Sequence, residues 1–192
     1  MARPVVRGVR AMMGTVKRAY SFPLAASVVA VVAGCSGVGM TEGVVIDGTG
    51  YSVGEVQEAT EQLSEVSPEP VDTATVIYQA GIAPLLDGWF EGTSYEVTES
   101  EVRSSLADAG LEGDAGDLTV QAVSAQQYLA VINDQAAMSD EELAPVVAEL
   151  QTLTQEDLGA LPVEVNPRFG AWSPAGDGVL PQVPEWIVQP ES

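Results

Sequence analysis

The sequence predicts a mainly α domain of about five helices. A small antiparallel strand pair joins its two ends, and an irregular, proline-rich C-terminal tail follows. Three observations predict this. Helix-start signals of the Ser/Thr-x-x-Glu type occur at Ser52 with Glu55, Thr98 with Glu101 and Ser139 with Glu142, each leading into apolar residues three and four apart. Only residues 43–47 (GVVID) and 161–166 (LPVEVN) read as short strands, and they bracket the helical region. The last stretch carries Pro167, Pro174, Pro181, Pro184 and Pro190, which helix interiors and central strands exclude.

The chain opens with Arg3, Arg7, Arg10, Lys17 and Arg18, then an uncharged, largely apolar run over residues 20–33. Val32-Ala33-Gly34-Cys35 ends that run with small residues before the chain's one cysteine. Charge, apolar core and small-residue cleavage site, in that order, make a secretory signal. The run is shorter than the ~20 residues that a spanning helix needs. The four residues ending at Cys35 resemble a bacterial lipobox, in which the cysteine is acylated and becomes the new N-terminus. This implies a signal peptide over 1–34, lipid (diacylglycerol and palmitate) on Cys35, and a position on the extracytoplasmic face of the cell membrane. Two or three acyl chains, at ~0.8 kcal/mol per buried CH₂, hold such a protein stably on a bilayer. Met12 and Met13 stand as alternative starts.

Residues 35–42 are a short, Gly-rich tether. In the domain at 43–166, residues 48–50 read as a turn by their glycines. Ser52 caps a first helix with Val53, Val56, Ala59, Leu63 and Val66 on one face, ended by Pro68 and Pro70. Asp72 caps the second and most apolar helix, which includes Trp89 and Phe90; Gly81 and Pro84 predict a kink or break near 80–84. A short third helix carries Val102, Leu106 and Leu111. Asp117 caps a fourth that carries Leu118, Ala122, Ala125, Leu129, Ile132 and Ala136. Ser139 starts the fifth, where Pro145 demands either a bend or a later start. The strands at the two ends are expected to pair. The tail, 167–192, adds Phe169, Trp172 and Trp186, unusual content for a free disordered segment.

Composition excludes several functions. Beyond Cys35 the chain holds all 28 carboxylates against only Arg103 and Arg168, so it repels phosphate backbones, and no nucleic-acid partner is expected. The chain has no histidine, and its one lysine precedes Cys35. That removes His-based nucleophile pairs and metal sites, Schiff-base chemistry and Gly-Lys phosphate loops. Carboxylate-based hydrolysis, for instance of cell wall, is the enzymatic option left, and no acidic pair stands out for it. No catalytic residue, metal or cofactor is therefore expected. Glu112, Asp114 and Asp117 offer oxygens to Ca²⁺, but their spacing departs from the EF-hand and suits a polar turn before a helix.

GVVIDGTGYSVGEVQEA and APLLDGWFEGTSYEVTESEV are similar to two signatures of the SurA N-terminal domain family. VEVNPRFGAW resembles the end of actinobacterial lipoproteins carrying that domain. The resemblance implies an extracytoplasmic, chaperone-like helical domain that contacts unfolded or secreted polypeptides. The prolyl-isomerase domain that follows in many members has no room here, and its activity does not carry over. On this reading Trp89, Phe90, Tyr95, Phe169 and Trp172 are either core or client and partner contacts. Phe169 and Trp172 then fill a groove with Arg168 paired to a carboxylate, or else they engage a partner. An envelope scaffold that uses the Pro/Trp tail as its partner surface is the alternative.

Overall fold

The computed structural model describes residues 41–182. The expected signal peptide, Cys35 and the expected tether up to residue 40, and the tail from residue 183, Trp186 included, lie outside the described residues.

The domain begins with a β-hairpin. β1 (Glu42–Ile46) pairs antiparallel with β2 (Thr49–Ser52), with Ile46 opposite Thr49. The turn is the dipeptide Asp47-Gly48, both at positive φ (48° and 78°), the geometry that a two-residue hairpin with right-handed twist demands. The glycines at 48–50 predict a longer turn and no second strand, but Thr49 and Gly50 belong to β2. On its other side β1 pairs antiparallel with β3 (Val163–Val165), placing Val44 opposite Val165 and Ile46 opposite Val163. The expected closure of the two ends is thus present, within a three-stranded sheet of order β2-β1-β3. Asn166 reinforces it: its backbone N–H donates to Gly43 O (2.9 Å) and its Nδ2 to Glu42 O (2.7 Å).

Six α-helices follow the hairpin. α1 (Val53–Val66) starts with the predicted reciprocal cap. Glu55 N donates to Ser52 Oγ (3.2 Å) and Ser52 N to the Glu55 carboxylate (2.7 Å); Val56, Ala59 and Leu63 turn inward. α2 (Thr73–Phe90), capped by Asp72, runs as one helix through Gly81 and Pro84, so of the kink or break expected there the break does not occur. An interior proline costs ~3 kcal/mol or more. The buried side chains of α2, among them Ile77, Ile82, Leu86 and Phe90, offset that cost at roughly 1.5–3 kcal/mol each. α3 (Glu99–Asp108) has its predicted cap from Thr98 and Glu101. α4 (Asp117–Asn133) does not use Asp117 as its cap. Gly116 takes the cap position without a side-chain cap bond, and Gln62 Oε1 on α1 anchors the start of the helix by accepting from Gly116 N (3.0 Å) and Thr119 Oγ1 (2.6 Å).

The fifth helix starts later than its Ser139 signal. Two 3₁₀ turns, Ala137–Ser139 and Glu141–Leu143, come first, and α5 (Ala144–Thr152) carries Pro145 in its first turn, where no N–H is needed. Ser139 Oγ donates instead to Gln135 O, and Asp140 caps the second 3₁₀ turn. α6 (Gln155–Gly159), capped by Thr154 and Asp157, is one helix more than expected. It is too short for a periodic apolar face to reveal it. The segment read as irregular tail folds as far as it is described: β4 (Ala171–Trp172) and β5 (Val179–Leu180) form a second hairpin.

α2 and α4 form the principal helix pair and run through both core clusters. The first cluster lies under the sheet and includes Val44, Val56, Ile77, Val102 and Leu118. The second lies at the C-terminal end of α2 and includes Leu86, Phe90, Tyr128, Leu143 and Val146.

Candidate functional site

The aromatic residues singled out from sequence do not share one surface. Phe90 is 0% exposed and stacks on Tyr128 with ring centroids 4.7 Å apart, so it is core and not a client contact in this conformation. Trp89 and Tyr95 are half-buried against the same cluster, and the Tyr95 hydroxyl donates to the Asp140 carboxylate at 3.4 Å. Phe169 packs half-buried on the first cluster, and Trp172 touches both. Arg168 makes no ion pair among the described residues, contrary to expectation. Its guanidinium lies 5.3 Å from the Phe169 ring centroid, a cation–π contact at the surface. Arg168 follows the turn in which its own N–H donates to Asn166 Oδ1 (3.1 Å), and no carboxylate comes within reach there. Cys35 lies outside the described residues.

Trp172 occupies a built notch. Its indole stacks on Tyr78 of α2 (5.7 Å, 23°), and its Nε1 donates to Leu158 O on α6 (3.0 Å). Gly81 makes the room, since a Cβ there would lie 2.9 Å from the far edge of the indole and 3.2 Å from Val163 on β3. A glycine that looks like a helix breaker in sequence is therefore an absence of side chain that an indole fills.

A second concavity, of about 490 Å³, opens between the C-terminal half of α2, the loop after it, α3 and α4. Its lining includes the carboxylates of Asp87, Glu91, Glu96, Glu99 and Asp117, and Val97, Val120 and Tyr128 supply apolar surface. One cation faces them. Arg103 on α3 donates Nε to Glu99 (2.8 Å) and an Nη to Asp117 (2.8 Å), while its other Nη donates to Ala115 O. These partners, Glu99 foremost, hold the guanidinium more firmly charged and occupy one donor on each of its three nitrogens. Asp87 and Glu91 sit in or just past the last turn of α2, where the macrodipole is negative and no basic residue compensates. Burial raises the Asp87 carboxyl above its ordinary value; the charge of Glu96 adds to this, and a hydrogen bond from Tyr128 opposes it. Tyr128 is pushed up to about 12, by burial first. Its hydroxyl accepts from Val97 N (3.1 Å) and so ties the α2–α3 loop to α4.

Chemically this cleft attracts cations and offers apolar contact. Among the described residues no three acidic side chains converge as metal ligands. The Glu112, Asp114 and Asp117 turn is tied up internally: Asp117 pairs with Arg103, Gln62 Nε2 donates to Asp114 O, and Glu112 N donates to the Glu65 carboxylate. Sequence reasoning did not single out Arg103, Asp87, Tyr128 or Gly81. One signal was there: Arg103 is one of only two cations after Cys35. No family model, no curated protein and no solved structure matches the chain.

Proposed function

We propose that this chain is a membrane-tethered, extracytoplasmic lipoprotein whose helical domain binds polypeptides in a chaperone-like manner, without catalysis. The observation that carries the reading is the cleft between α2, α3 and α4, open, part apolar, and rimmed by five carboxylates against one guanidinium already paired with two of them. Such a cleft suits extended segments that combine Lys or Arg with apolar side chains, as unfolded chains do. The secretory signal and lipobox at Cys35 support the location, and the SurA-like signatures support the chaperone-like role.

The test uses the chain from Ser36 onward, which contains every described element. It is expected to slow aggregation of unfolded, basic substrate proteins, less so as ionic strength rises. No effect on aggregation, together with no binding of basic unfolded chains by anisotropy, refutes the reading. The tether is tested separately. Cys35→Ser should abolish processing and membrane fractionation, and unchanged membrane association refutes the lipid anchor.

A further inference from the structure

We propose that residues 167–182 are an autoinhibitory strap. The notch holding Trp172 is a second polypeptide-binding site, for extended segments that place an aromatic side chain shortly after a glycine, and the strap occupies it in cis. This rests on the polypeptide-binding reading but on a different surface from the acidic cleft.

The strap meets the domain as a bound peptide would. It leaves the sheet after β3 at the turn made by Asn166 and Arg168, and it runs with three prolines, Pro167, Pro174 and Pro181. Its own regular structure is one two-residue ladder, Ala171 opposite Leu180 and Trp172 opposite Val179. Phe169 and Val179 pack half-buried on the first cluster, and the indole of Trp172 enters the notch. It is oriented by a single hydrogen bond to a backbone carbonyl, Leu158 O, and a stack on Tyr78. A backbone carbonyl and an aromatic face accept any donor-bearing ring, so nothing in the notch is private to this chain. The receiving side is shaped for main chain to come close. Gly81 leaves space for the ring, and Gly159 on α6 lies directly against Pro174 of the strap. The strap also leaves Leu180 45% exposed, the one large hydrophobic residue found exposed among the described residues.

The strap shares a chain with its seat, so it competes at high effective concentration. A ligand in trans binds only in the fraction of molecules whose strap is lifted. The strap sequence carries one arginine and one aspartate, Arg168 and Asp177, so a peptide of the same sequence gains little from the acidic cleft.

The experiment measures fluorescence anisotropy of a labelled synthetic peptide of residues 167–182 against the full chain. Wild type should bind weakly. Trp172→Ala, which empties the notch, should bind at least ~10-fold more tightly. Trp172→Ala with Gly81→Leu, which fills the vacated notch from α2, should return binding to the wild-type level or below. The proposal is overturned if Trp172→Ala binds no tighter than wild type while keeping its helical circular dichroism. Equal binding by the double variant overturns it too, as does loss of that helical signal in Trp172→Ala, since the strap would then be an obligatory part of the fold. The cleft variant Asp87→Asn/Glu91→Gln should leave peptide binding unchanged, which separates failure of the notch from failure of the acidic cleft.

Discussion

Gly81→Ala sets two effects of opposite sign against each other, and the structure decides between them. In an exposed helix interior, glycine to alanine stabilises by about 1 kcal/mol. Here the new Cβ would lie 2.9 Å from Cη2 and Cζ3 of Trp172 and 3.2 Å from Cγ2 of Val163, closer than relaxed contacts allow. The indole is rigid and is held at its other side by the 3.0 Å bond from Nε1 to Leu158 O, so it must leave the notch or take α6 and β3 with it. Lifting it forfeits a hydrogen bond of about 1 kcal/mol. It also forfeits an aromatic stack of about 1 kcal/mol, and half-burial of a large ring at roughly 1–1.5 kcal/mol. The net expectation is a destabilisation of about 2 kcal/mol, or roughly 4–8 °C in Tm for a domain of this size. The assay is a thermal melt combined with Trp emission in a Trp89→Phe/Trp186→Phe background, so that Trp172 alone reports. Gly81→Ala should lower Tm and shift emission to the red. A higher Tm with unchanged emission would mean that helix propensity dominates and that the notch has slack, which refutes the packing argument.

Three further outcomes are expected. Tyr128→Phe removes the acceptor for Val97 N–H and should cost about 1–2 kcal/mol in chemical denaturation, with the loop at 91–98 losing amide-exchange protection first. The capping carboxylates Glu55, Asp72, Glu101 and Asp157 are all held below their ordinary values, each chiefly by hydrogen bonds from its cap partner. Their stabilisation is present above the unfolded values of 3.8–4.5 and is lost as pH falls through the lower folded values. Asp87 has the opposite sign, its folded value being raised, so its ionised form destabilises at neutral pH and relief comes as pH falls toward that raised value. Stability should therefore rise slightly on acidification before the acid limb drops. Asp87→Asn should remove the rise, and Glu55→Gln should flatten the drop, both read from urea midpoints against pH. Arg103→Gln leaves the cleft carboxylates without their one cation. It should tighten binding of a basic unfolded chain and steepen its salt dependence in anisotropy titrations.

Local chemistry carried far in this chain, and it stopped where contacts became remote. The Ser52, Asp72 and Thr98 caps form as their sequences predict, because a cap is satisfied within three residues. The same rule fails at Ser139 and Asp117. At Ser139 the preference of Pro145 for a first turn moves the helix start, and Asp117 is itself the first helical residue and turns to Arg103 instead. The break expected at Gly81 and Pro84 fails for a related reason, since burial on both sides of α2 outweighs the local cost. The acidic cleft was legible only as surplus charge. Five carboxylates drawn from α2, its following loop, α3 and α4 meet at separations in sequence that no spacing rule detects.

By itself the sequence determined the acidic, histidine-free chemistry, the mainly helical class and the pairing of the domain's two ends. Periodicity, caps and composition are read residue by residue, and the two short strands had few other partners. Tertiary structure alone decided that residues 167–182 belong to the domain, that Phe90 is core while Trp172 bridges two clusters, and that Arg168 faces a ring instead of a carboxylate. The physical reason is complementarity between distant parts. An indole finds its seat only where a missing side chain on α2 comes up against a helix-end carbonyl on α6, and that coincidence exists only after the chain has folded.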